Sequence, residues 1–229
     1  MPAPGIPVRQ TISLGNSKTP FRLIYEFTGL NIKISSPYRK PLKRQRQKFV
    51  MRVFVAVDIS DTQTLSSLKN LQSSLKIAAK PVDIEKVHFT LMFLGEVTDE
   101  VLQKVQSKLK TINFEPFDIS FEGVGAFPNP KFPRVVWVGL GDSGGSKLVL
   151  LAKQIEECLS PLGFSNDKPF KPHATLFRIK NKVENIKEEL EKFSSKRFGT
   201  QRVNEIKLKK SILTPSGPIY SDLEVIVAR

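Results

Sequence analysis

His88-Phe89-Thr90-Leu91 and His173-Ala174-Thr175-Leu176 hold the only two histidines of the chain, and both open the same tetrapeptide. With threonine at roughly one residue in twenty and leucine at roughly one in ten, two chance matches at both positions arise about once in ten thousand trials. The repeat therefore marks two similar halves. Each copy sits in a short apolar run of strand length, residues 87–94 stopped by Gly95 and residues 174–179 preceded by Pro172. Residues i and i+2 of a strand share a face, so each histidine lies beside its own threonine hydroxyl.

That pairing has a chemical reading. An imidazole titrates near neutrality, so two of them, one neutral and one protonated, form a base and acid pair. Threonine hydroxyls can donate to phosphate oxygens. Together they suit in-line displacement at phosphorus without a metal. A single strand histidine is more often a satisfied packing residue. Leucine or tyrosine would serve a core as well, however, and packing gives no reason to keep both histidines in identical patterns.

Outward from the motifs, strands and helices alternate. A strand is expected at 52–57 and a helix at 61–80, where Leu65, Leu68, Leu71 and Leu75 recur at helical spacing after Asp58-Ile59-Ser60-Asp61. A second helix should span 98–109 with Thr98 as N-cap and Glu100 early in its first turn. Strands near 117–121 and 135–138 follow. A helix over 146–159 carries Leu148, Leu151, Ile155 and Leu159 on one side, and another is expected at 183–193. Strands at 202–213 and 219–228 should close a hairpin around Pro215-Ser216-Gly217-Pro218. Alternation of this kind also fits a doubly wound parallel sheet.

Composition fits a modest enzyme: 229 residues, 40% hydrophobic, with 16 phenylalanines, enough for one substantial core. Cys158 is the only cysteine, which rules out an internal disulfide and the usual multi-cysteine zinc sites. Its place in a helical apolar pattern reads as core. No run approaches the roughly 20 apolar residues of a transmembrane helix, so the expectation is a soluble, cytoplasmic protein with no membrane partner. The net charge of +14 is uneven: residues 1–50 hold ten Lys or Arg and one acid, Glu26, which leaves +5 for the rest. A mildly basic catalytic region suits a polyanion.

Two other signals point nowhere. Gly141-Asp142-Ser143-Gly144-Gly145 spells the surroundings of a serine-protease nucleophile, but neither histidine lies in a matching context, and the stretch reads as turn and helix cap. No phosphate-loop pattern of an NTPase exists.

Paired H-x-T-x motifs half a domain apart resemble the 2H phosphoesterase superfamily, and this chain is most similar to its RNA 2′,3′-cyclic phosphodiesterase, or 2′-5′ RNA ligase-like, branch. Further landmarks carry the resemblance: the opening strand Met51-Arg52-Val53-Phe54-Val55-Ala56-Val57-Asp58, then Gly123-Val124-Gly125-Ala126-Phe127-Pro128 and Arg134-Val135-Val136-Trp137-Val138-Gly139. Lys168-Pro169-Phe170-Lys171-Pro172 leads into the second motif, and Ser216-Gly217-Pro218-Ile219-Tyr220 lies near the end. The resemblance implies an α+β, two-lobed duplicated fold, with antiparallel-rich sheets facing a central cleft and helices outside. It implies hydrolysis of an RNA 2′,3′-cyclic phosphate end to a 2′-phosphate, with no metal and no cofactor. His88 would be the proton donor and His173 the proton acceptor, with Thr90 and Thr175 holding the phosphate.

Arg178 matches a family arginine that would be a further phosphate contact. Simple alternation puts Arg178 on the face opposite His173, so it needs a twist, a bulge or a strand end before it. The first motif has Glu96 beyond Gly95 and no matching arginine. Phe127 is a candidate for stacking on a terminal base. Two alternatives stand beside hydrolysis: 2′-5′ ligation by the reverse reaction, and noncatalytic RNA-end binding. A monomer is expected.

The resemblance spans 51–229. Residues 1–50 hold six prolines and end in the basic stretch 39–48, and the expectation is an extension that is disordered or upstream of a true start at Met51. A basic RNA-binding tail is the alternative, and an acid-poor targeting peptide a more distant one.

Overall fold

The computed structural model describes residues 9–14, 21–28, 31–35 and 50–229. They fall into two compact units, residues 1–47 and 48–229. In the first, β1 (Arg9–Leu14), β2 (Phe21–Thr28) and β3 (Asn31–Ser35) form an antiparallel meander in that order, with Arg9 opposite Glu26 and Ile24 opposite Ser35. The basic stretch 39–48 lies outside the described residues.

The second unit contains an eight-stranded sheet whose every pairing is antiparallel, which removes the doubly wound alternative. Its strands are β4 (Val50–Asp58), β5 (His88–Thr98), β6 (Phe117–Phe127), β7 (Val135–Leu140), β8 (Ala174–Arg178), β9 (Arg197–Val203), β10 (Glu205–Thr214) and β11 (Gly217–Val227). They run in the order β11-β10-β4-β5-β8-β7-β6-β9. The two lobes are thus the four-stranded halves of one sheet. They meet at β5 and β8 through a single register pair, Phe89 opposite Ala174.

Four α-helices accompany the sheet: α1 (Thr62–Ser74), α2 (Asp99–Leu109), α3 (Asp142–Leu159) and α4 (Lys187–Glu191). Asp61 caps α1 by accepting from the Thr64 amide at 2.7 Å, and Thr98 caps α2 through the Val101 amide. The Leu148, Leu151, Ile155 and Leu159 stripe of α3 is buried, as its spacing predicts.

Five boundaries differ from expectation, each for a local reason. Helix α1 stops at Ser74 because residues beyond it are drawn out beside β8: the Gln72 amide donates to the Val82 and Leu176 carbonyls, and the Val82 amide also donates to Leu176. Strand β5 passes through Gly95, which adopts φ 71° where the register against β4 slips between Val53 and Phe54. Helix α3 starts at Asp142, so the protease-like pentapeptide forms its N-terminus. A Cβ at Gly144 would stand 2.8 Å from the Asp118 carbonyl oxygen, so the glycine lets α3 lie directly on β6. The expected 202–213 strand is two strands, split at Asn204 where the chain crosses from one edge of the sheet to the other half.

The helix expected at 183–193 shrinks to α4, since the Ile186 amide is tied to the Pro130 carbonyl and Asn185 caps the Lys187 amide. Cys158 is half-buried rather than core, and its thiol donates to the Lys108 carbonyl at the end of α2.

Candidate active site

The seam between the halves builds the site. His88 opens β5, and His173 immediately precedes β8. Phe89 and Ala174, which face each other across the seam, are fully buried in the core. Their neighbours His88, Thr90, His173 and Thr175 must then point to the opposite face. Antiparallel register sets His88 beside Thr175 and Thr90 beside His173, an approximate two-fold arrangement.

The imidazoles are held alike. Nδ1 of His88 lies 2.8 Å from the Lys86 carbonyl, and Nδ1 of His173 lies 2.7 Å from the Lys171 carbonyl. A carbonyl only accepts, so each Nδ1 carries the proton and donates, which leaves each Nε2 unprotonated in the neutral ring. Phe54 stacks on His88 with centroids 5.1 Å apart and planes at 28°, while Tyr220 meets its edge at 5.2 Å. Around His173 the Phe127 ring stands edge-on at 4.9 Å and Trp137 at 6.5 Å. Phe127 also packs on Trp137 at 5.2 Å, so its ring braces the imidazole.

Arg178 reaches this face because β8 carries a bulge. Thr175 faces Trp137 and Phe177 faces Val136, so Leu176 is an extra residue. Leu176 and Phe177 are consecutive and both buried, alternation changes phase, and Arg178 emerges on the side of His173 and Thr175. Strand β5 repeats the device, with Thr90 opposite Ala56 and Met92 opposite Val55 around the extra Leu91. Leu91 and Met92 are both buried, and Phe93 emerges 66% exposed. The counterpart of Arg178 in the first motif is therefore Phe93, in keeping with the lack of a matching arginine there.

A cleft of about 530 Å³ is lined by both histidines, both threonines, Arg178 and Tyr220. Lys80, Lys86 and Lys180 also border it, against one carboxylate, Asp83. This cationic cleft suits an anionic ligand. Among the described residues, no three His, Cys, Asp or Glu side chains gather as metal ligands, and no helix is long and apolar enough to cross a membrane.

Burial pushes the pKa of His88 below its ordinary value, against the opposing pull of the Lys86 carbonyl and Asp58, with Lys209 and Arg178 adding to the depression. Burial likewise lowers His173, opposed by the Lys171 carbonyl and assisted by Arg178. Burial raises Tyr220, so its phenol stays protonated and able to donate.

Sequence reasoning gives no role to Tyr220, Asp58 or the cleft lysines. Tyr220 is visible only as a landmark, and its place depends on the β10–β11 hairpin setting it opposite Ser211, itself opposite Arg52.

Residues 52–226 match the AKAP7 2′-5′ RNA ligase-like domain. The chain is 47% identical over 178 residues to the RNA 2′,3′-cyclic phosphodiesterase of Archaeoglobus fulgidus, covering 76% of this chain and 99% of that protein. It is 39% identical to the protein of the same name from Aeropyrum pernix, over 72% of this chain and 94% of that one. Among solved structures, TT0787 of Thermus thermophilus superposes with a TM-score of 0.65 at 30% identity, covering 78% of this chain and 98% of that one. E. coli LigT complexed with 3′-AMP shares the fold, with a TM-score of 0.65 at 22% identity over 79% of this chain and 99% of that one. From Arg52 to Ile226, with both histidine motifs inside that span, the chain belongs to the 2′-5′ RNA ligase-like family of 2H phosphoesterases.

Proposed function

We propose that this protein hydrolyses RNA 2′,3′-cyclic phosphate ends to 2′-phosphomonoesters by a metal-independent two-histidine mechanism. The observation that carries the reading is the duplicated H-x-T-L strand start with its bulge, which gathers His88, Thr90, His173, Thr175 and Arg178 around one cationic cleft. The activity for which relatives up to 47% identical are named supports the substrate class. All five residues come from one chain within 51–229, so the reading needs no second subunit.

In this mechanism Nε2 of His173 takes a proton from water as the oxygen attacks phosphorus, and the bond from phosphorus to O3′ breaks on the opposite side. His88 gives its Nε2 proton to O3′, and the phosphate stays on O2′. Thr90 and Thr175 donate to the nonbridging oxygens, and the Arg178 fork neutralises their growing charge. The donor role of His88 is supported by Asp58, its register partner on β4, whose carboxylate favours the imidazolium. Arg178 depresses both imidazoles, and at His173 no carboxylate among the described residues opposes it, which favours the neutral base there.

The test is a short RNA with a 2′,3′-cyclic phosphate end, incubated with the full chain in excess EDTA, with 2′- and 3′-phosphate products resolved. Conversion to the 2′-phosphate, lost in His88→Ala and His173→Ala, is the expected result. A requirement for metal, a 3′-phosphate product, or binding without turnover would overturn it, the last in favour of an RNA-end binder. The ligase-like family makes the reverse reaction the second reading, tested by adding an RNA with a 5′-hydroxyl and looking for a 2′-5′ joined product.

A further inference from the structure

Beside His88 lies a second, smaller pocket, of which the proposed mechanism uses only His88 and Asp58. His88 and Tyr220 border both this pocket and the cleft, and its other lining residues include Asp58, Lys209 and Asp222. Lys209 is only 7% exposed, and its Nζ lies 2.7 Å from Asp58 Oδ2 and 2.7 Å from Asp222 Oδ1. Lys207 braces the same acids, 3.2 Å from Asp58 Oδ2 and 3.4 Å from Asp222 Oδ2, and reaches Glu205 at 3.2 Å. A buried ammonium between two carboxylates is a costly element for a strand, because desolvation offsets much of the attraction. The fold alone gives no reason for it.

Its position gives one. Asp58 is the register partner of His88, and Lys209 is the register partner of Phe54, whose ring stacks on the His88 imidazole. The three carboxylates and two ammoniums sum to a single negative charge beside one histidine of the pair. Arg178 is the one charged side chain among the described residues that acts appreciably on His173. The backbone duplicates the two imidazoles, so a charge cluster present at only one of them is what can make them unequal.

We propose that Lys209, clamped between Asp58 and Asp222, is a positioning residue that acts on His88 through Asp58, offsetting the negative charge His88 feels, so that His88 alone is set as the proton donor. This rests on the acid and base reading above. Asp58 stabilises the imidazolium, and the Lys209 ammonium keeps that stabilisation from fixing the proton permanently. Other charged or titratable groups also face His88: Tyr220 from β11, Arg178 from β8, and Glu85 and Lys86 from the turn before β5. Those lie in the cleft or towards solvent, whereas Lys209 is buried.

The experiment reads His88 directly. With only two histidines, imidazole NMR titration of the full chain is assigned by His173→Ala, and the alkaline limb of the kcat/KM profile on cyclic-phosphate RNA is recorded in parallel. Asp58→Asn should lower the His88 titration by about one pH unit, the scale of removing one nearby opposite charge. Lys209→Met should raise it, Lys209→Arg should restore it, and the Asp58→Asn/Lys209→Met double variant should return towards the parent. Each shift should appear at the same sign in the alkaline limb. A network that only supports the fold would lower rates without these opposed shifts, and unmoved titrations or shifts of one sign in both variants would overturn the proposal. Should Lys209→Met fail to fold, the isosteric Asp58→Asn decides alone: a fall supports the network and no change refutes it. Absence of turnover in the parent would refute the reaction while the NMR titrations still judge the network.

Discussion

The two motif strands share a backbone and differ in what they hang on it. β5 starts at, and β8 directly after, a histidine held through Nδ1, and both bulge after the threonine and bury two consecutive apolar residues. Five residues after the histidine, one presents Phe93 and the other Arg178. Beside the histidine, one has an ion cluster around the buried Lys209 and the other Phe127 and Trp137. The symmetric backbone supplies two equivalent nitrogens, and in the proposed reaction the asymmetric side chains around them would decide which takes the proton from water and which gives one to the leaving oxygen.

The comparison breaks most sharply at the histidines. His88→Ala and His173→Ala should each lower kcat/KM by about 10³-fold, and the double variant little further, because acid and base act in one transition state. Single-turnover rates on cyclic-phosphate RNA check this, and a loss confined to one variant would end the equivalence. Next come the bulge positions: Arg178→Ala should cost about 10²-fold and Arg178→Lys recover only part, since the fork is lost. Phe93→Ala should change kcat/KM by less than roughly tenfold, because its exposed ring offers no charge to the phosphate. Equal losses at both positions would make the halves alike in function as well as in backbone.

A smaller effect separates the strands by stability. Gly95 in β5 has φ 71° with open space around an added Cβ, so Gly95→Ala should cost about 1 kcal/mol from backbone strain, read as a lower urea midpoint. The β8 bulge has no glycine and no such sensitivity. The smallest effect is in pH. Both imidazoles are held below their ordinary pKa by burial, so the unfolded chain takes up protons first, and stability should fall as pH drops below about 6.5. Urea midpoints at about pH 7.5 and about pH 5.5, on either side of that value, should differ less in the His88→Ala/His173→Ala variant than in the parent.

Local patterns carry much of this into the sequence. The leucine spacings of α1 and α3, the caps at Asp61 and Thr98, and the closing hairpin all depend on neighbours along the chain, and all are readable. Register is not. Nothing in Thr175-Leu176-Phe177 announces a bulge, since two adjacent apolar residues are equally compatible with one facing each way. Without it, Arg178 falls on the wrong side and Phe93 goes unnoticed. The start of α3 is hidden because Gly144 and Gly145 read as turn, whereas the bare Cα of Gly144 serves a helix lying against β6. Lys209 is unreadable for another reason: its partners Asp58 and Asp222 are brought to it only by the pairing of β10 with β4 and β11.

The seam at Phe89 and Ala174 has a mechanical side. One register pair is a short ladder with which to join two four-stranded halves. An anion seated between threonines of opposite halves supplies the missing rungs, so inorganic phosphate should act as a keystone. Melting temperature is then expected to climb with the logarithm of phosphate concentration once the site begins to fill.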